Sequence, residues 1–191
     1  MLEKVPGAYT YLHDPMCTVP WTIFLTRRLG KEVTMLAAGS KAPPFALAAS
    51  TGTTVSLSDY RGKWVVVYFY PRDDTPGCTI EAREFSELVD VFTRKDAVIL
   101  GISTDSVESH CRFREKHSLS IPLLSDPDHH AIEPYGAWGE KNNDGKISYG
   151  LIRTTVLIAP DATIARIWNK VNAAGHAQDV LTELTVQQGK Q

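Results

Sequence analysis

Cys78 is the residue in this sequence whose neighbours could turn it into a reagent. It stands in "TPGCT", Thr75 to Thr79, shortly after the apolar run "WVVVYFY" at 64–70. Thr75 suits a helix N-cap and Pro76 the first helical position, so Cys78 falls within the first turn. There the free backbone N–H groups and the positive end of the helix dipole favour an anion, which shifts the expected state of the thiol toward thiolate. The dipole contributes only about 0.3–1 kcal/mol in ordinary sites, so a cationic partner is needed as well. Moving a thiol from about 8.5 to about 6 raises the thiolate fraction at pH 7 from a few per cent to roughly 90%, about thirtyfold. The accompanying fall in nucleophilicity returns roughly tenfold of that gain. A few-fold advantage does not make a catalyst, so groups near Cys78 must stabilise the transition state of whatever it attacks. The alternative for a cysteine taken alone is a small buried hydrophobe.

The elements that would position this cysteine follow from the apolar pattern. "STGTTVSL" reads as a hairpin, and "WVVVYFY" at 64–70, continuously apolar, as a fully buried central strand. Phe85, Leu88, Val89 and Phe92 fall at i, i+3, i+4 and i+7, one stripe of a helix of about four turns that closes on Arg94 and Lys95. "AVILGIS" at 97–103 is a second buried strand. Asp105 with Glu108 forms a capping box for a helix to about His117. "IPLLSD" reads as a short strand, residues 129–136 as a brief helix interrupted by Pro134, and "KNNDGK" at 141–146 as a turn cluster. Strands at about 150–158 and 162–168 joined by "APDA" form a hairpin. Ala177, Val180, Leu181 and Leu184 stripe a closing helix. The order β-α-β-α-β, hairpin, helix gives an α/β fold, a mixed sheet with helices on both faces.

Composition narrows the function. The 191 residues, 43% hydrophobic and 22% charged, suffice for one ordinary domain with a real core. A formal charge of −2 offers no broad positive field for nucleic acid or an anionic membrane. No segment approaches the roughly 20 apolar residues that span a bilayer. "VPWTIFL" at 19–25 is followed by Arg27 and Arg28 rather than a small-residue cleavage site, which argues against a secretory signal. Three widely spaced cysteines, Cys17, Cys78 and Cys111, suit neither a disulfide framework nor a four-ligand zinc site and favour a reducing compartment, the cytoplasm. Residues 1–34 lack sustained periodicity, whereas the pattern is regular from Met35 onward. The segment is expected to be either a poorly ordered extension or upstream sequence not made in the cell, with 35–191 as the domain.

The loop carrying Pro71, Thr75, Pro76, Gly77, Cys78 and Thr79 resembles the active-site loop of peroxiredoxins, in particular the Q-type or bacterioferritin-comigratory branch. The resemblance runs through "APPFALAASTGTTVSLSDYRGKWVVVYFYP", "LGISTDS", "PLLSD", "YGAWGEK" and "RTTVLIAPDATI", roughly 36–188. It implies a thioredoxin-like three-layer sandwich and reduction of hydroperoxides with no metal or organic cofactor. It further implies that Cys78 is the peroxidatic cysteine, oxidised to a sulfenic acid. Thr75 would hydrogen-bond the substrate, Pro71 would shield the sulfur, and Arg153 would pair with the thiolate and steady the peroxide. The implied partners are a hydroperoxide and thioredoxin or another thiol reductant. A monomer is expected, with a dimer as the alternative.

The family pattern is broken in one place. Many relatives carry a resolving cysteine five residues after the first, where this chain has Arg83. Other members of the branch place it on the helix after the second strand, and Cys111 lies there, about one turn early, so Cys111 is the candidate resolver. The alternatives are packing for Cys111 and resolution by an external thiol; Cys17 lies outside the resembling region. Arg153 could instead serve a structural ion pair, Thr75 could act only as an N-cap, and Trp138 is expected to pack rather than to meet substrate. His110 with Cys111, and His129 with His130, lack further ligands for a metal site. Two rival functions stand beside the peroxidase. One is a redox sensor whose Cys78 oxidation alters a partner interface without efficient turnover, the other a holdase on the same fold.

Overall fold

The computed structural model describes residues 36–143 and 146–190. The expectations placed on residues 1–34 and on Cys17 lie outside them.

Strand β3 (Trp64–Phe69) is buried at all six positions, as its unbroken apolar run requires, and its neighbours explain why. It pairs in parallel with β4 (Ala97–Ser103) on one side and antiparallel with β8 (Thr154–Ile158) on the other. Outward from β4 come β5 (Leu123–Ser125), β1 (Ala46–Ala49) and β2 (Thr54–Ser56), and outward from β8 comes β9 (Ile164–Asn169), giving the order β2-β1-β5-β4-β3-β8-β9. The hairpins β1–β2 and β8–β9 form where turn residues separate apolar runs.

Helix α1 (Pro76–Arg94) crosses from β3 to β4, and α2 (Val107–His117) crosses from β4 to β5. The strand order advances in one direction through both crossovers, so their shared right-handedness puts α1 and α2 on the same face. Period-2 alternation along β3 then sorts the core. Val66, Tyr68 and Tyr70 pack with Phe85 and Phe92 of α1, Phe113 of α2, and Val180 and Leu184 of the closing helix α3 (His176–Gln188). Val65, Val67 and Phe69 pack on the other face against Leu57 of a 3-10 turn (Leu57–Tyr60) and against Ala131, Ile132, Tyr135 and Ala137. Both faces are covered, as the three-layer reading requires. The second cover is made of turns, whereas the three α-helices share one face.

Three local expectations change. Residues 129–136 form turns rather than a brief helix. His129 has φ 59° and Gly136 φ 66°, and the Asp126 carboxylate accepts from the N–H groups of His130, Ala131 and Ile132, which substitutes for a helical start. "KNNDGK" is not simply a turn: β6 (Trp138–Asn143) and β7 (Lys146–Leu151) make a separate two-stranded hairpin that reaches into it. The strand expected from 150 therefore begins later, at Thr154. Ser106, not Asp105, caps α2, accepting from Ser109 N–H at 3.3 Å. The Asp105 carboxylate instead accepts from the Asp73 N–H at 2.8 Å. Among the described residues no helix is long and apolar enough to cross a membrane.

Candidate active site

The C-terminal end of β3 delivers the loop Tyr70–Thr75, and α1 begins with Thr75 in extended conformation and Pro76 at its first position. The Thr79 N–H donates to Thr75 O at 2.9 Å, closing the first helical turn around Cys78. The Thr75 side chain does not complete the expected cap. Its hydroxyl donates instead to Arg72 O at 3.1 Å, folding the loop back on itself and committing its proton there. Pro71 is half-buried at the head of the same loop, and Cys78 is buried, with 1% of its surface exposed.

Arg153 arrives from the far side of the chain. Antiparallel register pairs Phe69, the last residue of β3, with Thr154, the first of β8, so Arg153 stands beside the point where the Cys78 loop leaves the sheet. Its Nη2 donates to Cys78 Sγ at 3.2 Å. Position by position, the structure brings Cys78, Thr75, Pro71 and Arg153 to one end of β3. It does not bring Cys111 there. Both described cysteines are free, and the Cys111 thiol, exposed on α2, donates to Ser50 O at 3.5 Å, toward the β1–β2 turn.

Arg153 serves two acidic groups. Its Nη1 donates to Glu81 Oε2, and Glu81 is fully buried, with Oε1 lacking a hydrogen-bond partner among the described residues. Burial pushes the Glu81 carboxyl up to about 7, and the adjacent guanidinium offsets only part of that cost. The sequence reading missed Glu81. The available signal was its spacing: three residues after Cys78 on one helix, it must share the inward face of the thiol. The structural ion pair weighed for Arg153 and its contact with the thiol thus coexist.

Tyr68 completes the floor. Its ring stacks on Phe85 and Tyr70, its buried hydroxyl has no hydrogen-bond partner among the described residues, and burial, followed by the negative charges of Glu81 and Cys78, raises its pKa well above the ordinary range. The ring needs Gly101 on β4, where a Cβ would come within 2.6 Å of Tyr68 Oη. On the outer side, Asp73 is held by Tyr70, whose hydroxyl donates to Oδ1 at 2.7 Å, and by His110 of α2, whose Nδ1 lies 2.9 Å from Oδ2. Asp74, at φ 56°, pairs with Lys116 and His117. His110 is thus a hydrogen-bonding partner for the loop, and Trp138 packs on His129 with 3.9 Å between ring centroids and the planes tilted by 35°. The arrangement offers a buried sulfur with a cation bonded to it and a hydroxyl on the loop just ahead of it, which can serve as a nucleophile with charge stabilisation beside it.

Residues 38–167 match the AhpC/TSA family. The chain is 44% identical to peroxiredoxin Bcp of Bacillus subtilis over 146 residues, covering 76% of this chain and 93% of that protein. It is 41% identical to peroxiredoxin Bcp of Escherichia coli over 149 residues, covering 78% of this chain and 96% of that protein. Its structure is similar to that of the bacterioferritin comigratory protein of Xanthomonas campestris, solved as trapped intermediate and ligand complexes bearing on alkyl peroxide reduction. The TM-score is 0.74 at 38% identity, over 80% of this chain and 98% of that one. A cysteine-to-serine variant of PrxQ from Xylella fastidiosa gives a TM-score of 0.76 at 36% identity, again over 80% and 98%.

Proposed function

Because the chain belongs to the AhpC/TSA family, as a peroxiredoxin of the Bcp branch, we propose that Cys78 is the sulfur that reduces its hydroperoxide substrate. The observation that carries this is the 3.2 Å bond from Arg153 Nη2 to a cysteine sulfur held in the first turn of α1. The Cys78 thiolate attacks one peroxide oxygen, the O–O bond breaks, and its electron pair leaves on the other oxygen. That oxygen takes a proton and departs as water or an alcohol, while the sulfur is oxidised to a sulfenic acid. Negative charge spreads over both oxygens as the bond stretches. Arg153 and the free N–H groups of the first turn of α1 are the donors that stabilise it, with the Thr75 hydroxyl oriented by Arg72 O. Pro71 limits access of bulk water. Hydrogen peroxide and organic hydroperoxides are the substrate class.

Recovery of the thiol needs a second sulfur. A thiolate attacks the sulfenic sulfur, hydroxide leaves as water, and a disulfide forms, which a dithiol reductant such as thioredoxin then reduces by exchange. Cys111 is the internal candidate. Its thiol faces Ser50 and that of Cys78 faces Arg153, so the bridge requires the first turn of α1 and helix α2 to rearrange. Otherwise the external thiol resolves Cys78 directly. The odd number of widely spaced cysteines suits a reducing compartment, and the enzyme is assigned to the cytoplasm, as a monomer.

Replacing Cys78 by Ser is expected to abolish peroxide consumption in a steady-state assay coupled to thioredoxin and its reductase. Retained turnover in Cys78→Ser would overturn the assignment. A single equivalent of peroxide consumed by the unaltered protein would identify a sensor instead of an enzyme.

A further inference from the structure

Cys78 and Glu81 stand three residues apart on α1, neighbours on its inward face, and a single guanidinium reaches both. Arg153 Nη2 donates to Cys78 Sγ at 3.2 Å, while Nη1 donates to Glu81 Oε2. Glu81 has no exposed surface, and its Oε1 has no hydrogen-bond partner among the described residues. An ionised carboxylate there keeps one oxygen buried and unbonded, which is costly unless the adjacent cation is wholly its own. Arg153 is not, because it is also bonded to the sulfur.

One cation therefore serves two acids inside the fold, and only one of them ionises at low cost. Residues three apart on a helix have Cβ atoms about 5–6 Å apart, and at an effective dielectric of about 20 two negative charges at that spacing oppose joint ionisation by roughly a hundredfold. Such groups titrate as a pair that shares a proton. Burial already pushes the Glu81 carboxyl up to about 7 against the pull of Arg153, and a thiolate on the same guanidinium raises it further. The other titratable groups facing the pair are Tyr68 on β3, Asp73 on the loop, Glu84 on α1, Lys141 on β6 and His176 at the start of α3. None of them bonds to Cys78 or Glu81 among the described residues. Asp73 is taken by Tyr70 and His110, Glu84 accepts from the Gly175 N–H at 2.9 and 3.0 Å, and His176 Nε2 lies 2.8 Å from Thr155 Oγ1.

We propose that Glu81 holds the one proton of the reduced site and gives it up as Cys78 is oxidised, so that Arg153 passes from pairing with the thiolate to pairing with the carboxylate. The S–O bond forms, the O–O bond breaks, and two electrons pass from the sulfur to the peroxide. The hydrogen already on the attacked oxygen stays there in the sulfenic acid. The proton from Glu81 balances the one that the departing oxygen gains as it becomes water or an alcohol. Thiolate, carboxylic acid and hydroperoxide thus become sulfenic acid, carboxylate and hydroxyl product, and the buried site carries the same charge before and after. Glu81 acts through Arg153, as a positioning residue. The proposal rests on Cys78 being the reacting sulfur.

The test is a count of protons. Reduced protein, freed of reductant, is mixed in stopped flow with one equivalent of hydrogen peroxide in dilute buffer carrying a pH-indicator dye, for wild type and for E81Q, whose amide oxygen can still accept from Arg153. At about pH 8 the wild type is expected to take up about one proton per peroxide fewer than E81Q in the first turnover. The difference should close below about pH 6, because a carboxyl at about 7 then keeps its proton in the oxidised site as well. Infrared difference spectra of the wild type, oxidised minus reduced, should lose a carboxylic-acid carbonyl band and gain a carboxylate band. Equal proton uptake by the two proteins at pH 8 overturns the proposal. So does a wild-type spectrum without carboxylic-acid loss while a sulfenic-acid trap shows Cys78 oxidised, a reading that needs no variant. Peroxide consumption by Cys78→Ser, measured alongside, would instead overturn the assignment of the sulfur.

Discussion

Asp73, on the loop that leads to Cys78, is joined to His110 of α2 by a buried contact of 2.9 Å between Oδ2 and Nδ1. The Tyr70 hydroxyl shares the same carboxylate, and the His110 Nε2 on the far edge of the ring has no hydrogen-bond partner among the described residues. This cluster ties the loop that leads to Cys78 to the helix that carries Cys111. His110→Ala leaves the carboxylate with the tyrosine alone, and a loss of about 2–4 kcal/mol is expected in urea unfolding. Amide exchange in Val107–His117 should accelerate more than in α3, which a global loss of stability would not produce.

The same carboxylate sets an acid response. Burial alone would raise the Asp73 pKa, but its bonds to His110 and Tyr70 outweigh burial and hold it below the usual carboxylate value. A depressed carboxylate stabilises the fold above its unfolded pKa, and that contribution is lost as pH falls through the folded value. In Asp73→Asn the loss of stability on going from pH 5 to pH 3 should therefore be smaller than in wild type, read from thermal midpoints.

Glu81 gives the opposite sign. Its folded pKa of about 7 lies above the ordinary 4.5, so the folded protein holds this proton more tightly than the unfolded chain. The favourable contribution is full below about 4.5 and is lost as pH rises to about 7. Relative to wild type, Glu81→Gln should gain about 3 kcal/mol between pH 4.5 and pH 8, whatever its offset from losing the bond to Arg153. Urea unfolding at the two pH values measures the difference.

Arg153 donates from separate nitrogens to Cys78 and Glu81, a geometry that a guanidinium fork supplies and a single ammonium does not. Arg153→Lys should lower kcat/KM for peroxide by about 10–100-fold, and Arg153→Ala by more, because charge on the breaking O–O bond loses its donor. Single-turnover rates followed with rising pH to the plateau of each variant separate this from any change in thiolate population.

Cys111→Ser separates the two recovery routes. If Cys111 resolves the sulfenic acid, peptide mapping of peroxide-treated wild type should show a 78–111 linkage. The variant should then slow at least tenfold with thioredoxin while its first turnover is unchanged. Equal steady-state rates without the linkage assign resolution to the external thiol.

Cys78 at the start of its helix was legible in the chain because the signals are local. "TPGC" places a proline and a cysteine in one helical turn, and the i, i+3, i+4, i+7 stripe at Phe85, Leu88, Val89 and Phe92 fixes which side of α1 faces the sheet. Short-range geometry of this kind needs no knowledge of what lies opposite. Arg153 came by resemblance, since nothing local in "RTTVLI" points 75 positions back to a cysteine. Only the antiparallel register of β3 and β8 brings it to the thiol.

The remaining members of the site depended on packing. Asp73 and His110, 37 residues apart, meet because two right-handed crossovers lay α1 and α2 on one face of the sheet. The hairpin of β6 and β7 was hidden because "KNNDGK" is polar enough to read as a turn, whereas the pairing is anchored at a root bonded between Ala137 and Ile152. The sequence by itself determined that Cys78 begins a helix and that a cation must meet it, through backbone dipoles and side-chain spacing within one turn. The tertiary structure decided which charges share that cation, because strand register and helix burial, not proximity along the chain, set the distances over which electrostatic interactions act.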